Sequence, residues 1–263
     1  VDGNAKNGIK GAADAVITVA EVKLNINAAN DGLSCDDELN ITGGTLSITA
    51  GGDAVKASPD TGDTENPDTT SLGNVTISGG TLTLNATGDG IQADGDLVIG
   101  AKGASSTSTP RINITASYEG LEGTTVTVYS GDIDVVASDD GVNAANSTLG
   151  ERSDKYAISI AGGDLYIDAG SDGLDSNNDI NITGGKVEVY GADAMMDAAI
   201  DYDGTFTLSG GTLFGAGMEP SAGTQALRSR AATMNIRSRC WPSTKPSRAT
   251  TRQAGRSARM RRL

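Results

Sequence analysis

Histidine is absent from this 263-residue chain, which removes imidazole acid–base chemistry and His-ligated zinc from consideration. Cysteine is nearly absent: Cys35 and Cys240 stand on opposite sides of a break in composition and suggest neither a disulfide framework nor a thiolate metal site. With one Trp and two Phe, the core must be narrow and aliphatic, built from Val, Ile, Leu and Ala. No apolar run is long enough to span a membrane, and no signal peptide is visible. The chain opens on Val1 in the middle of a repeat, so the missing leader says little about location. No segment of residues 1–215 carries a helical apolar stripe.

Acid is missing from one region only. From Ser221 to Leu263 there are eleven Lys and Arg and no Asp or Glu, which leaves residues 1–220 with nine basic against 34 acidic residues, a formal −25. Such a body repels nucleic acid and anionic membrane and invites metal cations or cationic partners; acidity serving solubility alone is the plainer alternative.

Glycine is plentiful, 36 residues, and its placement reveals a repeat. GGTLSITAGGDAV (43–55), GGTLTLNATGDGI (79–91), GGDLYIDAGSDGL (162–174) and GGKVEVYGADAM (184–195) share one layout, and SGDIDVVASDDGV (130–142) fits it with Ser130 in the first Gly position. A second marker, an acid or Asn followed by Gly or Ala and an apolar residue, begins at Asn7, Asp31, Asp53, Asp89, Glu119, Asp140, Asp172 and Asp193. Its short steps are 24, 22, 21 and 21 residues; the longer ones, 36, 30 and 32, read as a coil plus an inserted loop. Between markers the apolar period is two: Leu46/Ile48, Leu82/Leu84, Ile133/Val135, Leu165/Ile167 and Val187/Val189 alternate with polar residues, as do Val75/Ile77, Ile158/Ile160, Ile180/Ile182 and Phe206/Leu208. Three short strands and three turns in about 21 residues predict one coil of an all-β, single-stranded parallel β-helix; the spacing leaves its hand open. Gly-Gly then serves the corners, where one coil stacks on the next about 4.8 Å away and a Cβ meets its neighbours. The polar, turn-rich stretches 58–68, 100–110 and 143–155 are expected to bulge outward as loops.

In such a stack, equivalent residues form columns. Asp140, Asp172 and Asp193 are expected to share a corner that extends back through Glu119, Asp89, Asp53 and Asp31. Unit charges roughly 4.8 Å apart repel by about 3–4 kcal/mol at an effective dielectric near 20. Two readings stand side by side. The carboxylates accept backbone N–H groups at each corner and bind no ion, or divalent cations reconcile them. Calcium suits the second, taking six to eight oxygens in irregular geometry where magnesium demands an octahedron. The residues predicted to hold it are Asp139, Asp140 and Asn143 on one coil, Asp172, Asp175, Asn177 and Asp179 on the next, and Asp193 and Asp197 on the one after. D-S-N-N-D (175–179) opens like an EF-hand loop, but Ile180 stands where that loop needs Gly and the closing Glu is missing. Asp36, Asp37 and Glu38 form a second, weaker cluster.

DGIQADGDLVI (89–99), SYEGLEG (117–123), ASDDGVNAANS (137–147), residues 162–191 and AAIDYDGTFTLSGGTLFGAG (198–217) together resemble the bacterial carbohydrate-binding β-helix proteins, calcium-containing binders of polygalacturonate, the pectin backbone. The resemblance implies a right-handed helix, a secreted or cell-surface location, and an acidic plant cell-wall polysaccharide as partner, with no nucleic acid and no transmembrane segment. It covers residues 1–219 as one carbohydrate-binding domain and assigns no sugar-contacting residue. Residues 220–263 depart from it: repeat, acid and strand pattern are lost together, so this basic segment is expected to be irregular and reads as a shifted reading frame or an unrelated terminus.

A binder of an acidic polymer needs something to bridge two sets of carboxylates, which calcium supplies. Tyr166 and Tyr190, on outward positions, are candidates to pack against sugar rings. A pectate-lyase-like enzyme needs calcium and a positioned Lys or Arg base; Lys155 and Lys186 lie nearest the acidic group in sequence, and no basic pair recurs there. An adhesin or spacer stiffened by calcium is the third class. The sequence therefore favours a non-catalytic, calcium-dependent polysaccharide binder, with catalytic residues unassigned.

Overall fold

The structure is a computed structural model that describes residues 6–11, 14–59, 72–104, 109–146, 149–192 and 197–217, together with the backbone strand Thr233–Arg237. Every regular element among the described residues is a β-strand, and every pairing is parallel. The strands fall into three legs, repeated coil after coil. A short leg recurs, after an acid-Gly or acid-Ala step in Leu33–Cys35, Val55–Ala57, Val142–Ala144 and Leu174–Ser176, and after Ala198-Ala199 in Ile200–Tyr202. A middle leg follows, as in Glu38–Ile41, Asn74–Ile77, Ala157–Ile160 and Asp179–Ile182. Ile91–Ile99 and Leu121–Val128 run through both legs, which joins them into one 14-stranded sheet. The long leg makes a separate nine-stranded sheet: Lys23–Ala28, Thr45–Ala50, Thr81–Ala86, Arg111–Ala116, Asp132–Val136, Asp164–Asp168, Lys186–Tyr190, Thr212–Ala216 and Thr233–Arg237. The result is an all-β parallel solenoid.

Period-two alternation builds it. Inward residues of the short leg stack in register as Ile9, Leu33, Val55, Ile91, Leu121, Val142, Leu174 and Ile200, and those from Leu33 to Leu174 are buried almost completely. Each such side chain removed from water contributes about 1.5–3 kcal/mol. The long leg stacks Leu46, Leu82, Ile112, Ile133, Leu165, Val187 and Leu213 in the same way. Aliphatic rows fill the interior, which is why one Trp and two Phe suffice.

The register steps place the insertions. Val55 pairs with Ile91, and the excess lies between the short and middle legs; Thr81 pairs with Arg111 across the loop ending at Pro110; Val142 pairs with Leu174 across the segment closed by Tyr156. Tyr156 is fully buried and its hydroxyl donates to the carbonyls of Asn146 (2.8 Å) and Gly150 (2.5 Å), pinning that loop to the wall. Loops thus enter between legs and leave the stack intact.

Gly-Gly has the mechanical role expected of it, divided between two glycines. At Gly184 a Cβ would fall on the Ala161 carbonyl of the preceding coil. Gly185 adopts φ 82°, in the left-handed region that suits glycine.

Two features differ from the sequence reading. Residues 233–237, inside the segment expected to be irregular, pair in parallel with Thr212–Ala216, Thr212 opposite Thr233; in T-M-N-I-R, Met234 and Ile236 keep the period-two alternation amid foreign composition. On the short leg, Ile200 stacks on Leu174, so the position following Asp172 is Ala198 and not Asp193. The apolar fit of Ile200 sets that register, and no acid marks it.

Outward positions of the long leg divide sharply by chemistry. Alternate residues from Lys23 to Asn27, Thr45 to Thr49, Thr81 to Asn85 and Arg111 to Thr115 are all exposed and include no Asp or Glu. From the next strand onward the outward positions turn acidic, with Asp132, Asp134, Asp164, Asp168 and Glu188.

Candidate metal centre

Two residues before each inward apolar residue of the short leg from Leu33 to Leu174 lies an acid, so these acids stack as that row does. Their carboxylates close a ladder from coil to coil. Asp31 Oδ1 accepts the N–H of Asp53 (3.2 Å), Asp53 Oδ1 that of Asp89 (2.8 Å), and Asp89 Oδ1 that of Glu119 (3.0 Å). After Glu119 the pattern resumes: Asp140 Oδ1 accepts from Asp172 N–H (2.9 Å), and Asp172 Oδ1 from Ala198 N–H. The column therefore satisfies corner amides that the sheets leave over. Asp53→Ala leaves the buried Asp89 N–H without this acceptor and is expected to cost about 1–3 kcal/mol in urea unfolding. Asp53→Asn keeps the amide oxygen and is expected to lose less, although both changes remove the 2.7 Å ion pair with Lys56. Equal losses in the two variants would refute an acceptor role.

Glu119 breaks the chain of amide contacts. Both its oxygens accept from Asn143 Nδ2, each at 3.1 Å. Asp89, Glu119 and Glu122 each place a carboxylate oxygen so that the three lie within 4.8 Å of one another. Glu122 comes from the outward position of the short leg, three residues after Glu119, in register between Gln92 and Asn143. Burial, with the charge of Asp89 next, pushes the Glu119 carboxyl up to about 8. Burial and the charges of Glu119 and Asp89 push Glu122 up to about 9. Asp89 is raised as well, by burial and by Asp53. Gln92 Oε1 and Asn143 Oδ1, flanking Glu122 in the same row, are buried acceptors without a hydrogen-bond partner. The three carboxylates form a donor set suited to a hard cation. It is a small acidic cluster capable of ion coordination.

The residues predicted to hold calcium are distributed as follows. Asp140 and Asp172 are buried in the ladder just described. Asp175 lies between Asn143 and Asp201 on the outward row of the short leg. Burial, then the charges of Asp140, Asp172 and Asp201, pushes Asp175 up to about 8. Burial likewise raises Asp140 to about 6 and Asp172 to about 7, against the partial relief of their N–H donors. These acids share one region with Asp201, which the sequence reading omitted. Asp139 is half-buried and faces exposed Tyr118, whose hydroxyl its hydrogen bond and charge raise to about 12. Asn143 points its amide at Glu119 and so belongs to the earlier cluster. Asp179 sits at the start of the middle leg, where its Oδ1 accepts the Thr205 N–H and hydroxyl, each at 2.8 Å. Asn177 and Asp197 are half-buried. Asp193 lies outside the described residues. In the weaker cluster, Asp37 Oδ1 accepts the Leu72 N–H (2.9 Å), a local backbone contact.

The tyrosines expected to face sugar are packed instead on each other. Tyr166 and Tyr190 are 7% and 4% exposed, with ring centroids 5.3 Å apart, and Phe214 extends the stack at 5.6 Å from Tyr190. Lys186, considered as a base, lies on the other sheet, ion-paired with Glu188 (2.5 Å) and Asp164 (3.7 Å). No clear catalytic site emerges among the described residues. Nor is any helix among them long and apolar enough to cross a membrane.

A family model described as carbohydrate-binding domain-containing protein matches residues 1–151 and again residues 108–216. No curated protein and no solved structure matches the chain.

Proposed function

The chain belongs to the family of carbohydrate-binding domain-containing proteins, and from that premise we propose that it is a non-catalytic module binding an acidic polysaccharide such as polygalacturonate in a calcium-dependent way. In this reading, residues 1–219 are the binding domain, a right-handed β-helix of about 21 residues per basic coil, working outside the cell or on its surface. Within 220–263, Thr233–Arg237 adds a strand to its long-leg sheet.

One observation carries the calcium requirement. Asp89, Glu119 and Glu122 converge within 4.8 Å, and the two amide oxygens beside Glu122 in the row lack hydrogen-bond partners. Burial and then mutual charge raise Glu119 to about 8 and Glu122 to about 9, so both hold protons at neutral pH. Asp89, Glu119 and Glu122 would hold the ion. When bound, calcium supplies the positive charge that lets these carboxylates ionise together and lowers the repulsion an anionic polymer meets. Of the group predicted from sequence, Asp139, Asp140, Asp172, Asp175 and Asp197 are a second place for the same chemistry, enlarged by Asp201.

The test is retention on polygalacturonate with calcium and with a chelator, alongside ultraviolet absorbance for unsaturated product. Chelator-sensitive retention without product is expected, and Glu122→Gln is expected to weaken calcium binding at least tenfold in titration. Accumulating absorbance would show a lyase, whereas calcium-induced stabilisation without retention of any polysaccharide would show a stiffened adhesin or spacer.

A further inference from the structure

In a body with a formal charge of −25 over residues 1–220, an extended acid-free surface stands out. The outward face of Lys23–Ala28, Thr45–Ala50, Thr81–Ala86 and Arg111–Ala116 is such a surface: its alternating outward residues are exposed, and apart from one Lys and one Arg all are Thr, Ser or Asn. Hydroxyl and amide groups both donate and accept, which is what recognition of sugar hydroxyls requires. They are held in rows by the ladder, with Asn25, Ser47, Thr83 and Asn113 in mutual register. Steps of about 4.8 Å between coils repeat one kind of contact at regular intervals, as a linear polymer of identical units repeats its hydroxyls.

Charge identifies the polymer. The neighbouring row, Lys23, Thr45, Thr81 and Arg111, is also in register, so a cation stands at each end, about 14 Å apart over three steps. Arg111 also contacts Asp132 (3.2 Å) on the next strand, where the acidic half of the sheet begins. An anionic chain that strays past Arg111 meets carboxylates, whereas one lying between Lys23 and Arg111 meets none among the outward residues of these strands. The acids of the other sheet add a longer-range repulsion, which calcium held at the cation centre would lessen.

We propose that an acidic glycan chain lies on this face of the nine-stranded sheet, hydrogen-bonded by the row Asn25, Ser47, Thr83 and Asn113, with uronate carboxylates beside Lys23 and Arg111. The inference rests on the reading above that the protein binds an acidic polysaccharide, and it separates the glycan from the cation centre on the other sheet. The ligand is recognised by polar contacts and two cations, with no aromatic platform.

Polygalacturonate binding is measured at fixed calcium for wild type, for Ser47→Asp with Thr83→Asp, for Lys23→Gln, and for Thr207→Asp with Ser209→Asp. The last pair adds the same charge at exposed positions of the middle leg and its corner. The first double variant is expected to bind at least tenfold more weakly with unchanged calcium affinity. Lys23→Gln, a single exposed change safe for folding, is expected to lose about threefold together with part of the salt dependence, and the Thr207/Ser209 pair to stay within twofold of wild type. Wild-type affinity in both Lys23→Gln and the Ser47/Thr83 variant overturns the assignment, as does an equal loss in the Thr207/Ser209 pair. If Glu122→Gln alone abolishes retention at saturating calcium while the face variants bind normally, the glycan sits at the cation centre and only this inference fails. If wild type retains no acidic glycan, the proposed function fails with it.

Discussion

Gly184→Ala is expected to destabilise the solenoid by roughly 3 kcal/mol, near 10 °C in Tm, although it adds a single methyl group. That methyl would land on the Ala161 carbonyl of the preceding coil, a backbone atom that cannot rotate away. Thr183 N–H and Gly184 N–H both reach Ile160 O, at 2.8 and 3.3 Å, so relief requires the corner to move off the coil beneath it. Gly103→Ala is the control: Gly103 has φ 77° but open space around its missing Cβ, so only backbone strain applies, and about 1 kcal/mol is expected. Denaturant unfolding of both variants decides the matter. Equal small losses would mean that corners are not limited by the close approach of successive coils.

The second large effect is on pH. In the folded protein Glu119 and Glu122 are raised to about 8 and 9, and Asp140, Asp172 and Asp175 to about 6, 7 and 8. In the unfolded chain these groups ionise near pH 4. Between those limits the native state binds more protons, so stability is fully present below about pH 4 and is lost as pH rises toward 9. Without divalent cations, Tm is expected to be on the order of 10 °C lower at pH 9 than at pH 5. In the proposed function calcium would reverse the sign of the problem, because the ionised carboxylates would become its ligands. Added calcium is expected to flatten the slope and to release protons, measurable in weak buffer at pH 7. Glu122→Gln removes one carboxylate, so the cation-free slope shrinks while the gain from calcium falls. A cation-free Tm that stays level or climbs with pH would overturn this account.

Much of the architecture was legible because period-two alternation and Gly-Gly corners are dictated locally. Leu46/Ile48 and Leu165/Ile167 announced their inward faces, and the steps between acid-Gly markers located the inserted loops. The destination of the carboxylates was not legible. Whether Asp53 takes a neighbouring amide or a cation depends on backbone geometry one coil away, and the sequence reading kept both. Glu122 was missed because outward strand positions look alike in sequence; the signal was present in E-G-L-E, where two acids three apart bracket the start of a strand beneath Asp89. Asp193 was placed in the column because it opens a D-A-apolar step, yet the ladder is set by Ile200 over Leu174, and Ala198 and Ala199 take the places held elsewhere by Asp and Gly. Tyr166 and Tyr190 read as outward, but outward in a strand does not mean open to solvent once rings stack along the wall.

The hydrogen-bonded ladders of this wall join each turn only to the turn above and the turn below. Unwinding therefore proceeds from the ends inward, with each lost turn exposing one fresh rim at nearly constant cost. Lengthening works by the same logic: a duplicated turn inserted in the middle needs no new partner, since its faces match those already there. One family model fits the chain over two overlapping ranges, 1–151 and 108–216, as a stack of interchangeable turns allows.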